Sequence, residues 1–424
     1  MASKLVQSLG AAVAAQVPEH PERARALLRT AYRLVGFQMR HLPPKTVPGA
    51  RCYMQGATAR SMVCALDKPG QAACVSIFLP CEILHALGIP PVLPEGLSCY
   101  LVSTAAERPF IAAAEDHGVP ESYCSYHKIL LGLAESGVMP PPRFVLSTSL
   151  ACDANQLSFR RAAQRWGVPH FTVDVPWEDS PQAVAYVAQQ LRQMAAFVAE
   201  HTGRALSEEA LRQALERSGR TLAHYRRYLE ERAVRHVSDE MTSEMLSVFA
   251  LHSMLGSPEA EEYARRLADQ VAALPRAFRG KRLVWAHTLP HWQDALREIL
   301  NFSDRVEIVA CDMACDFWEA PDPAHPYESM ARRLLGSCFN GGARRRVERV
   351  LELARRLHAD GVVWFCHWGC KQTSGASQLA RQTLEAAGFP TLVLDGDGCD
   401  AGNANDGQMV TRLQAFLEQL EGRA

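Results

Sequence analysis

One unit occurs twice in this chain, and it constrains the fold more than any other feature. In FVLSTSLACDANQLSFRRAAQRWGVPHFTVD an apolar strand begins at Phe144 and a cysteine follows eight positions on, at Cys152. A helix then ends in Gly167-Val168-Pro169, before a strand that closes in Asp174. In VVWFCHWGCKQTSGASQLARQTLEAAGFPTLVLD the strand begins at Val362, Cys370 lies eight positions on, and Gly388-Phe389-Pro390 precedes a strand closing in Asp395. Strand, helix, strand at this spacing predicts a parallel pair with a crossover helix, because antiparallel neighbours need only a short turn. In open parallel sheets the loops after the carboxyl ends of strands are where ligands bind. Cys152 and Cys370 each fall on such a loop, so two domains facing across a cleft would bring the two thiols together.

The same alternation surrounds both copies. Before the first copy, AACVSIF reads as a strand, PCEILHALG as a short helix, PPVL as a strand region and SYCSYHKILLGLAESG as a helix closed by Gly137. Around the second copy come RLVWAH, HWQDALREIL, RVEIVACD, a polar proline-containing stretch, RRRVERVLELARRLHA and a final helix in TRLQAFLEQL. Between them, from Pro181 to about Phe278, charged helix-forming segments replace strands. Ahead of everything, PERARALLRTAYRLVGF spaces Ala26, Leu27, Ala31, Leu34 and Val35 as an amphipathic helix does. The fold class is therefore α/β: two doubly wound parallel-sheet domains with an N-terminal helical segment and a helical connector. The expected boundaries are 1–50 for the N-terminal segment, 51–178 for the first α/β domain, 179–279 for the connector and 280–424 for the second.

Lys+Arg 45 against Asp+Glu 46 leaves no global field to gather nucleic acid or an anionic membrane. No apolar stretch reaches the length of a membrane span. MASKLVQSLGAAVAAQ is too broken by Gln and Ser for a secretory signal, which predicts a cytoplasmic protein. Thirteen cysteines in so large a chain without an export signal leave metal, redox or plain burial as their use. Classical zinc spacing is absent: the close pairs Cys311/Cys315 and Cys366/Cys370 are both C-x3-C. Burial is the expected state of Cys52, Cys64, Cys74, Cys99, Cys338 and Cys366, since free cysteine packs as a small hydrophobe. Cys311 and Cys315, at another strand end, compete as ligands. Cys124 and Cys152 lie at polar element boundaries, where either a nucleophile served by His127 or His367, or a cluster shell, is possible.

The motifs FLPCEILHALGIPP, YCSYHKILLGLAESGVMPPPRF, CDANQLSFRRAAQRWGVPHFTVDVP, GVVWFCHWGCKQTSG and FPTLVLDGDGCDAGNANDGQMVTRLQAFLEQL together resemble the 2-hydroxyacyl-CoA dehydratase family, which also contains ATP-dependent benzoyl-CoA reductase subunits. The resemblance runs from about Cys74 onward. It implies two α/β domains holding a [4Fe-4S] cluster through three cysteines, which by motif are Cys124, Cys152 and Cys370. It implies, as partners, an acyl-CoA thioester substrate, a paralogous subunit (heterodimer) or a second copy (homodimer), and a separate ATP-dependent iron–sulfur activator. No P-loop occurs in the chain itself.

The implied reaction removes water from a 2-hydroxyacyl-CoA: one electron at the thioester carbonyl makes a ketyl radical that expels the 2-hydroxyl, and the product returns the electron. The exposed iron would serve as Lewis acid. Glu82 is the candidate base, with a first-turn helix carboxylate as the alternative. His367 is expected to hydrogen-bond substrate or cluster, or to orient its loop. DGDGCDAGNAND reads as a turn in preference to a metal loop. The additional cysteines Cys81, Cys99, Cys311, Cys315, Cys366 and Cys399 point either to a larger double-cubane cluster or to burial. The competing functions are a reductase of the same family and a non-catalytic partner subunit.

Overall fold

The computed structural model describes residues 4–277, 279–403 and 406–422, so Met1–Ser3 of the expected N-terminal segment, Phe278 at the connector's end, Ala404 and Asn405 of the acidic turn, and Arg423 and Ala424 lie outside it. Two four-stranded sheets form, each entirely parallel. The first consists of β1 (Ala73–Val75), β2 (Pro91–Val92), β3 (Phe144–Thr148) and β4 (His170–Val173) in the order β2-β1-β3-β4. The second consists of β5 (Lys281–Ala286), β6 (Val306–Cys311), β7 (Gly361–His367) and β8 (Thr391–Gly396) in the order β6-β5-β7-β8. The orders are the same, as the repeated unit implies. Helices cover the sheets, which is why β3, β6 and β7 are buried at every position and read as continuous apolar runs.

The β1 strand is shorter than AACVSIF suggests, because the chain leaves the sheet after Val75 and sends Ile77 and Phe78 into a cleft. The helices Gly49–Asp67, Pro94–Ser103, Arg108–Asp116 and Pro326–Gly336 are not announced by the sequence pattern. The first is buried on most of its circumference and so shows no amphipathic stripe.

The expected helical stretch between the sheets contains Pro181–Thr202, Glu208–Arg232, Met241–Leu251 and Pro258–Ala272. Three of the four begin at a serine whose hydroxyl accepts a backbone N–H: Ser180 from Ala183, Ser207 from Ala210 and Ser257 from Ala260. Helix Pro258–Ala272 packs on both Glu208–Arg232 and Gly49–Asp67. That joint is fixed by buried charge, with Arg51 3.3 Å from Asp239 and Arg232 2.6 Å from Glu244. Among the described residues no helix is long and apolar enough to cross a membrane.

Candidate functional site

In each sheet the winding direction reverses once, between β1 and β3 in the first and between β5 and β7 in the second. Crevices form at such switch points because the loops on either side diverge. Here both crevices open into one cleft of about 770 Å³. Ile77 and Phe78 follow β1 into it, Leu150 and Ala151 follow β3, His287 follows β5, and His367 ends β7. Met245 and Phe249 of helix Met241–Leu251 close a further wall, so the helical insert completes the site. The walls are otherwise mostly apolar, which suits a hydrocarbon chain.

Cys124, Cys152 and Cys370 stand where this cleft meets an outer one of about 1580 Å³. Each is the residue capping the start of a helix: Ser125–Glu135, Asp153–Trp166 and Lys371–Ser374. All three remain partly accessible, whereas every other cysteine except Cys64 is buried. Burial pushes the Cys124 thiol well above the ordinary thiol range, and the nearby Cys370 and Cys152 push it further. Cys152 is pushed up to about 12, again first by burial and then by Cys370. Three thiolates cannot coexist here without compensating positive charge. Among the described residues no three His, Cys, Asp or Glu side chains lie close enough to share one metal ion.

Gly369 brings the two halves together. Its φ is +77°, and a Cβ there would lie 2.6 Å from the Cys124 nitrogen and 2.7 Å from the Tyr123 carbonyl carbon. Backbone therefore meets backbone, and only glycine permits it. Gln372 adds a second tie by donating from Nε2 to the Ala151 carbonyl, joining the loops of Cys370 and Cys152.

His367 sits between these parts. The Gly398 N–H donates to Nδ1 at 3.0 Å, which leaves the ring proton on Nε2, 3.2 Å from Cys124 Sγ. The histidine thus offers an N–H to a thiol sulfur, and burial keeps its ring neutral. Asp397 and Asp400 organise the acidic turn. Asp397 accepts from Ser125 Oγ at 2.6 Å and from the N–H groups of Cys399 and Asp400, while Arg108 binds Asp400 at 2.7 Å.

Glu82 is not brought to this site. Its carboxylate is fully buried, accepts two hydrogen bonds from Arg333 at 2.5 and 2.8 Å and one from Ser218 at 2.9 Å, and lines neither cleft. Although burial works against ionisation, the Arg333 guanidinium holds its carboxyl below the usual range, so it stands as the buried ion-pair partner of Arg333, away from the cleft. Cys366 lies inside β7 with its thiol toward the Thr373 carbonyl. Cys311 donates to the His287 carbonyl at 3.2 Å, and Cys81 to that of Leu79 at 3.4 Å. Neither reaches the thiols of the cleft.

Two cleft residues escape sequence reasoning. Glu95, in the first turn of helix Pro94–Ser103, has Oε2 buried without a hydrogen-bond partner, and burial pushes its carboxyl up to about 7. His287, directly after β5, keeps Nδ1 without a hydrogen-bond partner. The rule that placed Cys152 and Cys370 applies to His287 too, since a polar residue ends the apolar run RLVWA.

Fold and site define a doubly wound α/β protein with a largely apolar cleft between two switch points, beside three thiols. The chain belongs to the family described as 2-hydroxyglutaryl-CoA dehydratase, D-component, whose model matches residues 76–420. It is 23% identical over 388 residues to the lactoyl-CoA dehydratase subunit alpha of Anaerotignum propionicum, covering 83% of this chain and 91% of the relative. It is 23% identical over 297 residues to the (R)-2-hydroxyglutaryl-CoA dehydratase subunit alpha of Acidaminococcus fermentans, covering 67% and 61%. The (R)-phenyllactyl-CoA dehydratase beta subunit of Clostridium sporogenes is 26% identical over 170 residues, covering 38% and 44%.

Proposed function

We propose that this chain is the iron–sulfur subunit of a cytoplasmic 2-hydroxyacyl-CoA dehydratase, with Cys124, Cys152 and Cys370 as ligands of a [4Fe-4S] cluster. The observation that carries this reading is the convergence of three partly accessible thiols, from both α/β halves, on the edge of an apolar cleft. The donor set fits the group. A cubane gives each thiolate its own iron, so three thiols that cannot share one ion can still share a cluster, whose charge relieves their mutual repulsion. Both clefts include these three cysteines and, among the described residues, no fourth, which favours a single cluster over a double cubane.

Held by Cys124, Cys152 and Cys370, the cluster would supply a Lewis acid for the thioester carbonyl or the 2-hydroxyl oxygen. The protein supplies the rest. Ile77, Phe78, Leu150, Met245 and Phe249 hold the acyl chain and exclude water. His367 donates its Nε2 proton to the Cys124 sulfur, which favours the more electron-rich state of the site. A separate ATP-dependent activator delivers one electron to the substrate carbonyl. The resulting ketyl radical expels hydroxide from C2 and loses a C3 proton, and the electron returns at the end. The relatives are named as alpha and beta subunits, which supports a paralogous partner.

Anaerobic purification followed by iron and sulfide determination tests this reading. Wild type and Cys366→Ser are expected to carry about four irons per chain, and Cys370→Ser to lose most of them. Equal iron in all three, or none in wild type, overturns the reading.

A further inference from the structure

We propose that His287 is the residue that takes the C3 proton of the bound 2-hydroxyacyl thioester. This rests on the dehydratase reading above. His287 occupies the second sheet's switch point, where the end of β5 faces the end of β7 across the crevice. Its backbone is held at φ +82°, a conformation a non-glycine residue seldom adopts. The surroundings enforce it from both sides. The His287 N–H donates to Asp312 Oδ1 at 2.7 Å, its carbonyl accepts from the Cys311 thiol at 3.2 Å, and Arg346 pins the other Asp312 oxygen at 2.8 Å. Arg346 is itself buried, over the rings of Phe339 and Trp364. This clamp fixes the imidazole at the cleft wall.

The ring is equipped for proton transfer. Nδ1 has no hydrogen-bond partner among the described residues, although it is buried. An orphaned buried nitrogen is costly in a folded protein and marks a place where a ligand completes the bonding. Burial, then the Arg346 charge and His367, keep the imidazole neutral, the state in which one ring nitrogen has a lone pair to offer. The His367 ring is 6.0 Å away, so one histidine faces the thiol sulfur and the other is left for substrate.

The step balances. Once the C2–O bond has broken and hydroxide has left, Nδ1 removes the proton from C3, and the C3–H electron pair enters the C2–C3 double bond. The imidazolium so formed is a strong acid in this setting and passes the proton to the departed hydroxide, giving water. The electron supplied at the outset leaves with none consumed.

The test uses the iron-loaded chain with its partner subunit and activator, and lactoyl-CoA and 2-hydroxyglutaryl-CoA with and without deuterium at C3. His287→Gly accepts the positive φ better than histidine does, and His287→Asn tolerates it, so both variants are expected to fold. Each should keep wild-type iron and wild-type affinity for the thioester, yet turn over about 10²–10⁴-fold more slowly. The C3 deuterium isotope effect should rise. Added imidazole should restore turnover in His287→Gly, an outcome a merely structural role does not give. Unchanged turnover, or a loss accompanied by loss of iron and not rescued by imidazole, overturns the assignment alone. An iron-loaded wild type that dehydrates neither thioester overturns the dehydratase reading and this assignment with it.

Discussion

Glu95 holds a carboxyl where the cleft offers it almost nothing to bind. Its own backbone N–H and that of Ile77, at 3.4 Å, are the donors that approach, and Oε2 has no partner among the described residues. Its pKa of about 7 in the fold, against the ordinary 4.5, means that the folded chain retains a proton which the unfolded chain releases. Stability therefore falls as pH rises from about 4.5 through 7, and stays low above that range. Glu95→Gln keeps the shape and removes the charge. The variant should match wild type near pH 4.5 and exceed it at pH 8 by on the order of 2 kcal/mol, after discounting for water in the cleft. Denaturant unfolding across pH checks this, and a difference that does not grow with pH would contradict it. Nothing in PEGLSCY signals this role, because its cause is the enclosure that distant segments provide. Cys124, Cys152 and Cys370 were legible as residues at element ends. Glu82 was misleading for a physical reason: a glutamate in a first helical turn looks the same in sequence whether it faces a cleft or Arg333.

The loop between β7 and the helix Lys371–Ser374 shows how one element sets the site's dimensions. Gly369 lets its backbone touch that of Tyr123 and Cys124, and so fixes how far Cys370 stands from Cys124. Gly369→Ala adds a methyl where the nearest atoms are backbone and cannot yield. Gly388→Ala provides the control, since Gly388 also has a positive φ, +92°, with nothing within 4 Å of its Cβ position. Both variants should lose on the order of 1 kcal/mol or more from backbone strain. Only Gly369→Ala should also lose iron, measured per chain after anaerobic purification. Equal iron in the two variants would show that this contact does not set the spacing. Most strands were readable as elements because they are buried on both faces. Helix Pro326–Gly336 was not, because three prolines close together suggest an irregular loop, whereas Pro326 in fact opens the helix.

At the scale of the whole molecule, the site exists because two α/β halves and a helical insert are held in one arrangement. Several ties cross between the halves. Arg108 binds Asp400 at 2.7 Å, Ser125 donates to Asp397 at 2.6 Å, and Asn340 to the Pro176 carbonyl at 2.9 Å. The Glu82–Arg333 ion pair is another, fully buried on its carboxylate side. Glu82→Gln should therefore destabilise the chain by on the order of 3 kcal/mol, because it strands a guanidinium in a poorly hydrated place. Residual activity of folded protein should persist, as Glu82 lies outside the cleft. Thermal unfolding and specific activity per iron separate the two effects, and abolished turnover at full iron content would return Glu82 to the catalytic candidates.

By itself the sequence determined the alternation of strands and helices, the repeated unit with its thiol beyond the strand, the helical insert and the family. These are local patterns, written by burial periodicity, capping residues and glycine punctuation. Only the tertiary structure decided which end-of-strand residues share a cavity. It turned Glu82 toward Arg333, placed Glu95 and His287 in the cleft wall with buried, unpartnered polar atoms, and assigned the His367 tautomer through Gly398. Those outcomes depend on which distant backbone and charges surround each side chain, and burial and electrostatics of that kind are properties of the packed whole.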